Sequence, residues 1–323
     1  MAIMANMKAQ KRVRLTESFE RVIISIRSKI KVQSKQAVLL CHLLQLAQIV
    51  SVMIPESSES GLPWSYEILG GVWGIASFLS RPGKLLQALN FPLNSLLFLV
   101  FDALILWAYI KLLIKCRKVD YFDFRSSVSD SGKLERSIQF MNFAFAKLFL
   151  IPIIHATLED LFHLTQQSNH LSALVGCFLH FAVYFGNCYV EFTFLSEIKW
   201  SQDWESVSMP KYNLLKFWLL VAFVGQELLL DFNKYPTGKL GVMLVIGLAY
   251  GLMYWIAFPN HRSNLNTLEM LKGATMVLGA LVLGIAYFSG VSQKSVLSPL
   301  LFLGLFFSAS IITKEASKVR QIQ

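Results

Sequence analysis

Charged residues are scarce in this chain: Asp, Glu, Lys and Arg make up only 15% of 323 residues, and acidic side chains number just 20. A water-soluble domain of that length cannot cover its surface with so little charge. Cysteine is also sparse. Cys41, Cys116, Cys177 and Cys188 form neither a disulfide framework nor a CxxC metal site, and three of the four lie inside apolar runs. Cys177 and Cys188, eleven residues apart on one helix, lie about 16 Å apart and cannot bond each other. No nucleotide-binding glycine loop, HExxH, Ser/His/Asp order, selectivity-filter sequence or internal repeat is present. Each missing motif removes an enzyme or channel class that depends on it.

What is present is apolar. Hydrophobic residues make up 54% of the chain, with 25 Phe and a positive mean hydropathy. The net charge of +10 comes from basic residues at the ends of apolar runs, a membrane-topology pattern rather than a nucleic-acid face. The expected fold is therefore all-α and polytopic, an integral membrane protein of unspecified membrane. It has eight crossings, at residues 36–54, 91–113, 138–158, 171–195, 212–230, 240–258, 271–288 and 296–312. The glycine-rich stretch 64–80 is short for a span and reads as re-entrant or interfacial. Lys and Arg concentrate on the side assigned to the cytoplasm only if that stretch does not cross, which also puts both termini inside.

Three regions follow: a basic amphipathic segment 1–35, a helical bundle 36–312 and a basic tail 313–323. In the first, Leu15, Phe19, Val22, Ile23, Ile26 and Ile30 share a helical face. It suits either an anionic cytoplasmic leaflet or the underside of the bundle.

Ionisable residues inside the spans are the candidate functional groups. Asp102 and Lys147 fall near the middle of consecutive antiparallel spans and read as an ion pair; Glu191 and Lys216 make a second pair. Glu227 needs a partner from another helix, with His155 or His163 at its depth. His155, Glu159 and His163, with Asp160 beside them, are spaced to place potential zinc or iron ligands on one face, against the plainer reading of a polar outer cap or pH-sensitive cluster. Gly247 with Gly251, and Ala280 with Gly284, are small-residue pairs for close helix packing.

Gln36–Ile54 (QAVLLCHLLQLAQIVSVMI), Trp64, AKLFLIPII at Ala146–Ile154 and EIKWSQDWESVSMPKYNLLKFW leading into the fifth span resemble the multi-pass region of the "tiny macrocysts" proteins of ciliates and amoebae. In that family PAS sensor domains commonly follow the membrane region, so the resemblance implies membrane-anchored sensing. The tail TKEASKVRQIQ leaves no room for such a domain, which points to a short relative or the membrane module of something longer. The leading expectation is thus a non-enzymatic sensor, signalling or scaffold module that needs no cofactor. Its partners are the bilayer, its anionic inner leaflet and proteins met in the membrane or at cytoplasmic loops. A channel or transporter using the intramembrane charges stands second, and an intramembrane metal-dependent hydrolase third.

Overall fold

The computed structural model describes residues 17–26, 35–53, 94–118, 132–166, 171–195, 211–230, 234–257, 259, 263–288 and 310. Among them every regular element is helical. In chain order these are α1 (17–26), α2 (Lys35–Met53), α3 (Asn94–Lys118), α4 (Gly132–Phe143), a π-helical turn Ala144–Leu148, α5 (Leu150–Gln166), α6 (Leu171–Val190), a second π turn Glu191–Leu195, α7 (Lys211–Leu229), α8 (Pro236–Ala257) and α9 (Ser263–Phe288). The expected re-entrant stretch 64–80, the eighth span 296–312 apart from residue 310, and the tail 313–323 lie outside the described residues.

Four of these helical stretches are long and apolar enough to cross a membrane: Leu174–Leu195, Lys211–Leu229, Pro236–Ala257 and Asn264–Ile285. A fifth is added if the bent pair Lys133–Leu148 and Leu150–Phe162 counts as one broken span. Their outer faces carry large apolar side chains, among them Val245, Ile256, Ile285 and Phe288, while Glu269, Lys272, Gln48 and His180 are buried inside. Apolar surface outside and polar groups within is the arrangement lipid favours.

The helix α4–α5, read from the sequence as one continuous span, is bent by 71°. The cause is local. Phe149 leaves helical geometry (φ −104°, ψ 20°), and its N–H bonds Ala144 O at 2.8 Å in the i→i−5 pattern. Pro152, three residues on, has no N–H to return to Leu148 O. Carbonyls released in an apolar interior must find other donors. Tyr184 Oη donates to Phe145 O at 2.9 Å, Gln45 Nε2 to Lys147 O at 2.5 Å and Gln48 Nε2 to Leu148 O at 3.2 Å. Side chains of α6 and α2 thus complete the backbone of α4–α5.

The last two helices differ from expectation at their starts. α8 begins at Pro236, where proline's fixed φ suits a first turn, so Pro236-Thr237-Gly238 opens the helix and is not a turn before it. α9 begins at Ser263, eight residues before the expected Leu271, which brings Glu269 and Lys272 onto one helix. α8 and α9 pack closely through small residues. A Cβ on Gly273 would lie 2.6 Å from Gly251 N and 2.9 Å from Gly247 O; one on Gly247 would lie 2.9 Å from Met276 Cβ. Ala280 is buried, and Gly284 faces Leu240. The partner of the glycine pair is therefore in this chain.

The amphipathic α1 packs under the bundle. Val22, Ile23 and Ile26 are buried with Ala108, Leu112, Cys116 and Ile138. Ser25 Oγ donates to Glu135 at 3.1 Å, Arg21 to Cys116 O at 3.3 Å and Gln139 to Ile26 O at 2.7 Å. Cys116 lies beyond the apolar run of α3, and burial pushes its thiol up to about 11, with Lys115 pulling the other way and Glu135 adding to the rise. The thiolate is the reactive form, and an exposed thiol has a pKa near 8.5. At pH 8 Cys116 is therefore expected to alkylate about 100-fold more slowly than an exposed cysteine. Ile26→Asp, which expels α1, is expected to abolish that protection. Equal labelling of the two proteins by a maleimide, followed by peptide mass spectrometry, would show that α1 does not cover the thiol.

Candidate functional site

Three polar clusters lie among the described helices, and one glutamine touches two of them. The first is built on α9. Glu269 and Lys272, one turn apart, turn inward and meet the neighbouring helices. Glu269 Oε1 accepts from Lys216 Nζ of α7 at 2.5 Å, and Oε2 accepts from Tyr250 Oη of α8 at 2.5 Å and faces Lys272 Nζ at 3.1 Å. His42 Nδ1 of α2 lies 3.3 Å from Glu269 Oε1 and 2.9 Å from Lys272 Nζ. One carboxylate thus stands among two ammonium groups and an imidazole, with Glu269 and Lys272 at most 2% exposed. A balanced pair suffices to fix helix register, but this cluster carries an excess of cation. His42 Nδ1 either accepts from Lys272 or, once protonated, donates to Glu269, so the cluster has two hydrogen-bond states that differ by a proton.

The groups share a depth for a simple reason. His42 and Gln45 of α2 face Glu269 and Lys272 in the same order, so α2 runs parallel to α9. Lys216 is five residues from the start of α7, and Tyr250 seven from the end of the antiparallel α8.

The second cluster lies where α3, α4 and α6 converge. Lys147 Nζ sits 3.4 Å from Glu191 Oε1; Asn142 Nδ2 donates to Glu191 Oε2 at 3.3 Å and to Tyr109 Oη at 3.0 Å. Gln45 bridges the two clusters. Its Oε1 accepts from Lys272 Nζ at 2.6 Å, while its Nε2 donates to Lys147 O. Only one amide orientation satisfies both contacts. The two clusters meet at Lys147, whose backbone O takes Gln45 and whose ammonium takes Glu191, with the lysine's own methylene stem between the two contacts.

The third cluster joins α3, α5 and α6. His180 Nδ1 is 2.5 Å from Asp102 Oδ2, and His180 Nε2 is 3.1 Å from Thr157 Oγ1, which itself donates to Ile153 O at 2.7 Å. The imidazole stacks on Phe98 at 5.4 Å and on Tyr184 at 5.8 Å.

The expected pairs are rearranged. Asp102 pairs with His180 rather than Lys147, because α3 packs mainly on α6 while Lys147 falls in the π turn facing Glu191. Glu191 therefore takes Lys147 and leaves Lys216 to Glu269. Glu227 meets Lys239, at 3.2 Å from the first turns of α8, a cation that was not among its expected partners. Of the outer group, His155 Nδ1 lies 3.6 Å from Glu159 Oε2, Asp160 is buried, and His163 is on the same helix with its side chain outside the described residues. Among the described residues no three His, Cys, Asp or Glu side chains are placed to hold a metal ion. The sequence reading missed Glu269, Lys272, His42, Gln45 and Tyr250. The unbroken run SNLNTLEMLKGATMV, free of proline, was the available signal that α9 starts early enough to carry Glu269 into the bundle.

No protein-family model matches the chain, and no curated protein or solved structure does.

Proposed function

We propose that this is a proton-linked membrane transporter, crossing the bilayer eight times with both termini cytoplasmic. The observation behind the reading is the pair of buried ionic clusters, one around Glu269 and one around Glu191, which Gln45 brings together inside a bundle whose outer faces are apolar. Ionisable groups at such depth are costly and commonly mark ion or proton pathways. The basic excess around Glu269 and the shared position of His42 Nδ1 supply a place to gain and lose a proton.

Reconstitution into liposomes with an imposed pH gradient tests the reading. The wild-type protein is expected to dissipate the gradient when a permeant counter-ion is provided. Gln45→Leu, which removes the contact between the two clusters without removing a charge, is expected to slow this about tenfold, the effect of one lost hydrogen bond to a charged group. Folded wild-type protein that leaves every imposed gradient intact would end the transport reading.

A sensory module is the second reading, supported by α1. Its contacts with Cys116 and Glu135 tie the basic amino-terminal segment to α3 and α4, so a shift of those helices reaches the cytoplasmic surface. This is also the role implied by the resemblance to the tiny macrocysts proteins.

A further inference from the structure

The two π turns, Ala144–Leu148 and Glu191–Leu195, are on different helices, yet one ion pair joins them: Lys147 belongs to the first and Glu191 to the second. π-helical segments cluster at functional sites, and interrupted helices hold ions in transporters. Each turn is preceded by an asparagine, Asn142 before the first and Asn187 before the second. Both are at least nine-tenths buried, at 1% and 7% exposure. Asn142 Oδ1 has no hydrogen-bond partner, and neither Oδ1 nor Nδ2 of Asn187 has one.

The register of the two helices fixes where Asn187 faces. Tyr184 of α6 reaches Phe145, and Glu191, two turns on, reaches Asn142 and Lys147. Asn187 lies between them on the buried side of the same helix, one turn from Tyr184 and one turn from Glu191. An unsatisfied amide atom buried in an apolar bundle costs about 1–3 kcal/mol, and three of them, on an asparagine bonded to Glu191 and on another one helical turn before it, call for a ligand.

We propose that Asn142, Asn187 and Glu191 form a binding site for a monovalent alkali cation, which displaces the Lys147 ammonium from Glu191. The chemistry follows from the donor set. Two amide oxygens and a carboxylate are hard oxygen ligands, suited to hard cations rather than to zinc or copper. A single carboxylate balances a single positive charge in a low-dielectric interior, which disfavours calcium and magnesium. Lys147 occupies the carboxylate when the cation is absent. Its side chain is the more open of the pair, 19% exposed against 11% for Glu191, and it can withdraw as the cation enters. One charge replaces another, and the local balance is kept. A water from the cation's shell accepts from Asn187 Nδ2. The inference names a solute for the transport reading; the binding itself is measured without any flux.

The test is thermal unfolding of the purified protein in detergent at fixed pH and ionic strength, titrated with sodium or potassium chloride against choline chloride. One alkali cation is expected to raise Tm by about 4 °C at saturation. Asn187→Leu replaces the unpaired amide with an apolar group of similar shape, which keeps or raises stability if the amide is merely buried. The variant is expected to remain folded and lose the alkali-specific shift. Lys147→Met, without the competing ammonium, is expected to half-saturate at a cation concentration at least about tenfold lower. A wild-type Tm indifferent to which cation is present, or an Asn187→Leu protein that keeps the shift, overturns the site. If binding holds and proteoliposomes show no flux, only the transport reading falls.

Discussion

Glu269→Gln is expected to destabilise the detergent-solubilised protein by about 3–5 kcal/mol, a loss of roughly 10 °C in Tm. Glu269 is the only carboxylate in direct contact with Lys216 and Lys272 among the ion pairs described, and both ammonium groups are largely removed from water. Neutralising it leaves two buried cations facing an amide, a much larger cost than the net worth of the original contacts. The argument carries its own control. Glu269→Gln combined with Lys272→Met removes the more deeply buried cation and is expected to recover at least half of the loss. Thermal unfolding of the single and double variants measures both. A Glu269→Gln protein as stable as wild type would mean that water reaches the cluster and that its charges are solvated.

The second large effect concerns α8 and α9. Gly273→Ala is expected to cost about 3 kcal/mol or more, while Gly251→Ala, directly opposite, costs less than about 1 kcal/mol. The asymmetry is geometric. A methyl on Gly273 points into the backbone of α8, 2.6 Å from Gly251 N, where nothing can yield without moving the helix. A methyl on Gly251 lies 3.9 Å from Gly273 Cα, an ordinary contact. Gly279→Ala provides an intermediate case, since its neighbour at 2.7 Å is Met53 Sδ, the far end of a flexible side chain. Unfolding midpoints of the three variants give the order directly. Equal losses at Gly273 and Gly251 would contradict the packing.

The helical class was legible because long apolar runs with charged ends permit little else, and Asp102, Lys147, Glu191, Lys216 and Glu227 could be picked out from those runs one by one. Their partners could not. Pairing Asp102 with Lys147 assumes straight helices in simple succession, and the bend at Phe149 rotates Lys147 toward Glu191. That bend itself was only half visible: Pro152 signals a break, but the π turn before it depends on Gln45, Gln48 and Tyr184, which come from distant parts of the chain. Glu269 was lost to a boundary placed eight residues late. That Gly247 and Gly251 allow a close helix contact was the easiest feature to anticipate; that the neighbour is α9 was not, because glycine spacing within one helix signals contact whatever the neighbour.

The glutamines that complete the broken helix also bear on how the protein is made. A helix interrupted at Phe149 cannot enter lipid alone without exposing the carbonyls of Lys147 and Leu148. Gln45 and Gln48 come about a hundred residues earlier in the chain and leave the ribosome first. Synthesis from the amino terminus therefore delivers the donors before the acceptors. Moving α2 to the end of the chain by circular permutation would reverse that order, leaving the bent segment to dwell with its backbone unsatisfied and exposed to membrane quality control.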